Sequence, residues 1–416
     1  MSPSHLFCTL LKFNLIAVSL YAALVTDARA QGYDVLEISP PPGYLARRAW
    51  LADKGISVDI RYTGFYQGLV SGTDDKDFQY GDKWDAFINF DSSKFGLREG
   101  GGFRSHLEYS SDSAPTNLGG AIFAANTALY WPVDTPNKLV ATSLYFTQKV
   151  GKKSSIALGK FNPGDLLAAD NFYGGWGTDR FMNLILVAPP SGLIPVVFMG
   201  AVATVRSQPV SWTFMVFDPD DRTNDYLPGD LFENGVNASV AASHDTTLAG
   251  RKTTYVLGGL YSTAEGTDYS SIGSIEGTST KSGSWNINFE FKHNLQETAE
   301  HAKANWGFYL KAAIADGNPN YVQRSLILGI GGKALFFGRP QDSFGVGAYY
   351  YNLSDTLQDS LDPDFTNFQD EAAIEVFYNY AATSWLYIGP DIQYIKPARG
   401  DYDNALVASL RMQFKF

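Results

Sequence analysis

The chain has 416 residues, 14% of them aromatic, with 40 glycines, one cysteine and a formal net charge of −11. The acidic balance argues against nucleic-acid partners, and a lone cysteine excludes a disulfide framework or a cysteine-based metal centre. After Ala30 no run approaches the roughly 18 apolar residues of a membrane-spanning helix, so helices do not carry this chain through a bilayer.

Residues 1–30 read as an export signal. Lys12 precedes an apolar run from Phe13 to Val25, and Ala28-Arg29-Ala30 supplies the small residues of a cleavage site before Gln31. Removing this segment takes away Cys8 and the net +1 of Lys12, Arg29 and Asp27, leaving −12. That balance also disfavours a pore tuned globally for anions. Residues 31–54 are expected to form a periplasmic segment. Between Pro41 and Lys54 it carries a short helix, with Tyr44, Leu45, Ala49, Trp50 and Leu51 among Arg47, Arg48 and Lys54.

From 55 to 416 the pattern is strand after strand, apolar on one face and polar or small on the other, which predicts an all-β, antiparallel, sixteen-stranded transmembrane barrel. The strands fall near 56–66, 83–93, 102–110, 138–149, 154–161, 195–206, 210–217, 235–243, 252–262, 284–293, 305–315, 324–336, 343–352, 371–380, 385–395 and 405–416. Long polar links follow the first, third, fifth, seventh and ninth strands. Short ones, such as Gly151-Lys152-Lys153, follow the second, fourth, sixth and fourteenth, the outer-membrane alternation.

Parity assigns the faces. Val58, Ile60 and Tyr62 point to lipid, so Asp59 and Arg61 point to the lumen. Phe103, Leu107 and Tyr109 stand opposite Arg104, His106 and Glu108. Lys160, Glu375, Asp391, Gln393 and Arg411 are lumenal by the same rule, because Arg or Lys on the lipid face at mid-depth costs about 2–4 kcal/mol.

The link Phe161–Pro195 is the longest between two strong strands and is expected to fold inward and narrow the pore. It holds Asp165, Asp170, Phe172, Tyr173, Trp176, Asp179 and Arg180. The other reading is a solvent loop whose charges cap turns. In Asp218-Pro-Asp220-Asp221-Arg222-Thr-Asn224-Asp225 the carboxylates could collect oxygens for Ca²⁺, without the spacing of a twelve-residue calcium loop; a plain acidic surface loop is the alternative. No other metal and no cofactor is expected. Asn294–Ala304, with Glu297, Glu300 and Lys303, predicts a helical turn.

The final segment alternates most clearly. Leu406, Ala408, Leu410, Met412, Phe414 and Phe416 share one face, and Val407, Ser409, Arg411, Gln413 and Lys415 the other. This strand is expected to close the barrel against the first, with Leu410 in lipid and Ser409 open to the lumen and tolerant of Arg. A terminal Phe after such a run resembles the signal read by the outer-membrane insertion machinery.

Three stretches resemble the carbohydrate-selective porins of the OprB type: Arg48 to Gly68, Leu158-Gly-Lys-Phe-Asn-Pro through Asn183, and Glu375-Val-Phe-Tyr-Asn-Tyr followed by Trp385-Leu-Tyr-Ile-Gly-Pro-Asp-Ile-Gln-Tyr-Ile. The resemblance implies a sixteen-stranded barrel admitting sugars across the outer membrane. The expected function is a water-filled channel for carbohydrates, monosaccharides such as glucose included; the alternative is a general diffusion porin without a sugar site.

No catalytic constellation emerges, and the chain lacks the length for a plugged transporter of about 22 strands. Expected partners are carbohydrate solutes, outer-membrane lipids and the insertion machinery, with monomer and homotrimer both open. Sugar hydroxyls need donors and acceptors, and sugar C–H faces need rings. Recognition is therefore expected from Lys160, Asp165, Asp170 and Arg180 with Tyr173 or Trp176, or else on the wall near Arg61, Arg104, Glu108 and Asp391.

Overall fold

The computed structural model describes residues 43–111, 119–133, 136–169, 175–191, 194–274, 277–298, 305–361 and 367–416. The predicted signal segment lies outside them. Sixteen strands close into one antiparallel barrel: β1 (Ile56–Ser71), β2 (Gln79–Asp91), β3 (Gly101–Ser110), β4 (Val140–Val150), β5 (Ser154–Phe161), β6 (Phe198–Val205), β7 (Val210–Phe217), β8 (Asn237–Leu248), β9 (Arg251–Ser262), β12 (Trp285–Glu297), β13 (Asn305–Ala315), β14 (Val322–Ala334), β15 (Arg339–Leu353), β16 (Glu371–Ala381), β17 (Leu386–Lys396) and β18 (Ala405–Lys415). Two-residue strands β10 (Gly266–Thr267) and β11 (Thr280–Lys281) pair within the link between β9 and β12. As expected, β1 pairs antiparallel with β18, Tyr66 opposite Leu410.

Burial runs opposite to that of a soluble protein. Leu410 is 50% exposed, Ile392 51% and Ile374 49%, whereas Glu375, Asp391 and Arg411, one residue out of phase, are each 1% exposed. An outer surface of exposed aliphatics around a charged interior is stable only where lipid replaces water outside. Aromatics gather at the short-turn rim, where Trp385 stacks on Phe414 at 5.9 Å and Trp306 meets Phe336 at 5.5 Å. Their amphipathic rings suit the headgroup level. No helix among the described residues is long and apolar enough to cross a membrane. The predicted short helix spans Tyr44–Asp53 and is tied to the rim by Arg48, which donates to the Phe416 carbonyl at 3.2 Å.

Two local expectations are corrected. β1 and β2 are longer than the alternation indicated, so their link is only 72–78, shorter than the opposite-rim link 92–100 with its 3₁₀ turn at Ser92–Phe95. The ladder continues past the predicted ends through the pairs Tyr66 with Tyr80 and Gln67 with Gln79. Asn294–Glu297 extends β12 instead of forming a helical turn: Asn294 faces Gly307 and Glu297 faces Asn305. Residues 299–304 lie outside the described set.

The barrel is not an empty tube. The β5–β6 link does fold inward, and part of the β3–β4 link, 119–133, enters beside it, which parity did not foretell. Ala125 and Ala128 from one, and Phe181, Leu184, Ile185 and Leu186 from the other, are buried against lumenal Tyr309, Tyr349 and Phe377, while Leu129 packs with Met182 against Phe65 of β1. Room for them comes from Gly345 and Gly347 on β15, where a Cβ would strike Phe377 and Phe181, and Leu186 and Phe181, respectively.

Candidate solute constriction

Polar side chains on the wall bind the inward loops, mostly through the loops' own backbone groups. Glu375 accepts the N–H of Met182 at 2.6 Å and of Asn183 at 3.1 Å. Glu371 does the same for Ile122 at 2.9 Å. Arg411 donates to the Arg180 carbonyl at 2.7 Å, Gln413 to Thr178 Oγ1 at 2.8 Å, and Lys415 Nζ lies 2.9 Å from Asp179 Oδ2. Loop backbone brought into a lumen needs such partners, since buried N–H and C=O groups are costly unpaired. Burial alone would raise the Asp179 carboxyl, but Lys415, Arg180 and Arg61 hold it well below the usual carboxylate range.

On the adjoining wall, β1, β2 and β3 bring Arg61, Lys83, Asp85, His106 and Glu108 against the loop helix Pro163–Ala169. Register explains the grouping: Arg61 pairs with Asp85, and Asp85 with Glu108. His106 bridges Asp165 Oδ1 through Nδ1 at 2.8 Å and Asp85 Oδ1 through Nε2 at 3.1 Å, and Ser143 donates to Asp165 Oδ2 at 2.5 Å. Asp85, His106 and Glu108 have the mutual spacing of metal ligands, but Lys83 Nζ already sits 2.8 Å from Glu108.

A narrow space of about 50 Å³ runs between this wall and Trp176–Asp179 of the loop. It adjoins a chamber of about 410 Å³ on the short-turn side, lined by Arg48, Asp59, Arg61, Asn89, Arg104, His106, Tyr145 and Asp165 among others. Both spaces share Arg61, Phe87, His106 and Asp165.

The sequence-predicted residues separate accordingly. Arg61, Glu108, Asp165 and Trp176 come together at the constriction, and Arg104 lines the chamber beside it. Arg61 is steadied by Asp59 at 3.0 Å. Trp176 is 6% exposed and donates to Thr127 Oγ1 at 3.1 Å, so it packs the loop and offers no open stacking face. Lys160 is 2% exposed and holds the β7–β8 link, donating to the Thr223 carbonyl at 2.7 Å and the Asp225 carbonyl at 3.0 Å. Asp391 is 1% exposed and accepts from Gln393, which also donates to the Ala125 carbonyl of the 119–133 loop. Arg180 sits beside Asp179 at 4.0 Å. Asp170 and Tyr173 lie outside the described residues.

Sequence reasoning did not single out Lys83 and Asp85. They share lumenal parity with Phe87 on β2, a signal present in Lys83-Trp-Asp85-Ala-Phe87.

In the 218–225 loop the carboxylates considered for calcium gather around a guanidinium. The cation within it is Arg222, whose guanidinium is 3.1 Å from Asp218, 3.4 Å from Asp220, 3.3 Å from Asp225 and 3.0 Å from Asp230. Burial would lower its pKa, but its bonds to Asp218 and Asp230 raise it. Asp221 is spent on the N–H groups of Val197 and Thr223, both at 3.1 Å. Chelator and added Ca²⁺ are therefore expected to leave thermal unfolding of the purified barrel unchanged. A Ca²⁺-dependent rise in the midpoint would show that metal displaces the guanidinium.

Comparison with known proteins places this architecture. Residues 75–416 match the family described as carbohydrate-selective porin, OprB family. Porin B of Pseudomonas aeruginosa is 30% identical over 185 residues, which is 39% of this chain and 41% of that protein, so the chain matches less than half the length of this relative. The high-pH structure of Pseudomonas putida OprB superposes with a TM-score of 0.75 at 19% identity, covering 90% of this chain and 97% of the other. The low-pH structure of the same protein gives 0.54 at 17% identity, with the same coverage. The chain belongs to the OprB family of carbohydrate-selective porins.

Proposed function

We propose that this protein is an outer-membrane channel through which neutral carbohydrates, monosaccharides such as glucose among them, diffuse into the periplasm. In this reading residues 1–30 direct export, 31–54 remain periplasmic and 55–416 form the barrel. The observation that carries it is the constriction, where Arg61 faces Asp165 and Asp179 across one narrow space. A polyol uses donors and acceptors together, whereas an ion is matched by one sign alone. The chamber below, about 410 Å³, is within the range of small-molecule sites, roughly 300–1,000 Å³. Flux requires that such a site bind weakly.

The test is block of single-channel current by glucose. A hydrogen bond to an ionised group contributes about 1.5–3 kcal/mol net, so Arg61→Ala and Asp165→Asn should each raise the half-blocking concentration at least roughly tenfold. If both keep the wild-type value with an open pore, the sugar site is elsewhere. If glucose does not block the wild-type channel at any concentration, the general-diffusion reading holds instead.

A further inference from the structure

On the side of the inward loop away from Arg61, Asp85 and Glu108 lies a second lumenal space of about 410 Å³, and its character is different. One side is apolar, built from Leu166, Ile185, Val187 and Ile194 of the inward loop together with the rings of Phe123, Trp131 and Tyr321. The other is the barrel wall, where Asn286, Asn288, Glu290 and Lys311 present polar groups. Glu290 is fixed between Lys292 at 2.6 Å and Lys311 at 2.9 Å.

Leu166 is 41% exposed and Ile194 42%. Exposed aliphatics of that size are ordinary on the lipid face of this barrel, but these two border a lumenal cavity. Contiguous apolar surface left in water marks a place where an apolar group is received. The rings offer a pyranose C–H face a surface to pack on, and the exposed aliphatic side chains beside them suit a solute that carries an apolar substituent as well.

We propose that this cavity is an aglycone site, and that the channel favours glycosides with an aromatic or alkyl substituent over the free sugar. The substituent lies against Leu166 and Ile194 while the sugar's hydroxyls meet Asn288 and the Glu290–Lys311 pair. The inference rests on the carbohydrate reading above and extends it to a substrate class.

The experiment compares current block by glucose, methyl β-glucoside and phenyl β-glucoside in the full-length channel, with phenol as a sugar-free control. Burying a phenyl ring should lower the half-blocking concentration at least roughly fivefold relative to the methyl glycoside. Leu166→Asn and Ile194→Asn, both at exposed positions, should abolish that preference and leave glucose block within about twofold of wild type. Equal block by the phenyl and methyl glycosides would overturn the aglycone site while leaving sugar transport standing. A preference for phenyl that survives both variants would also overturn it, since the ring would then bind elsewhere. Block by phenol as strong as by phenyl β-glucoside would assign the cavity to aromatics without a sugar. Failure of every sugar to block would remove the carbohydrate reading and this one with it.

Discussion

Replacing Glu375 by Ala is expected to release the inward loop from the wall and raise single-channel conductance. The carboxylate is 1% exposed and accepts two loop amides, Met182 and Asn183, near the loop's buried tip. Its removal leaves both N–H groups without a partner in a place water reaches poorly, at about 1–3 kcal/mol each, or about 2–6 kcal/mol in all. That cost falls on loop docking and not on the barrel, because Glu375 contributes to the β15–β16 and β16–β17 ladders only through its backbone, opposite Gly347 and Gln393. Glu375→Gln keeps one acceptor oxygen and should give an intermediate rise. Conductance in planar bilayers reads loop position, and heat-shifted gel migration reads the barrel. Unchanged conductance in Glu375→Ala channels would show that the apolar packing of Phe181, Leu184 and Leu186 holds the loop without this anchor.

Leu410→Arg is expected to impair assembly by about 2–4 kcal/mol, the cost of a guanidinium on the lipid face near mid-depth. Leu410 is 50% exposed, lies at the middle of β18 and stands beside Tyr66 and Pro390 on the flanking strands. Parity alone offers Ser409→Arg as the silent control, but Ser409 is only 8% exposed, because the inward loops cover that part of the wall. An Arg there would have to displace packed loop, so it would be destabilising for a different reason. Ser239, which lines an open lumenal cavity, is the sounder control. Ser239→Arg should assemble at wild-type level while Leu410→Arg does not. Equal yields of folded barrel from the two variants would refute the assigned faces.

The fate of Ser409 marks where reading the sequence stops being sufficient. Strand number, antiparallel closure and the face of each residue depend on a side-chain period of two, a local property repeated along every strand. Lipid enforces it strongly, so Val407, Ser409, Arg411 and Gln413 could be assigned to the lumen from the alternation alone. The inward fold of the long β5–β6 link was legible too, since its length and mixed aromatic and charged content have no place in a short turn.

What a lumenal residue does there was decided by contacts between residues far apart in the chain. Met182 meets Glu375, Ile122 meets Glu371, and Gln393 meets Ala125. No periodicity encodes these pairs, because each depends on how two loops share the volume inside the barrel. Thus Lys160, Trp176 and Asp391, chosen by residue type as sugar contacts, became anchors and packing, whereas Arg61, Arg104 and Asp165 remained beside open space. Likewise the acidic run at 218–225 offers the same oxygens on paper to calcium or to a guanidinium, and only the folded loop places Arg222 among them. The sequence by itself determined the barrel and its two faces, because pleat and bilayer act on neighbouring residues. Which polar groups stay open to a solute was decided by tertiary structure, because buried backbone drawn into the lumen must find partners wherever the wall provides them.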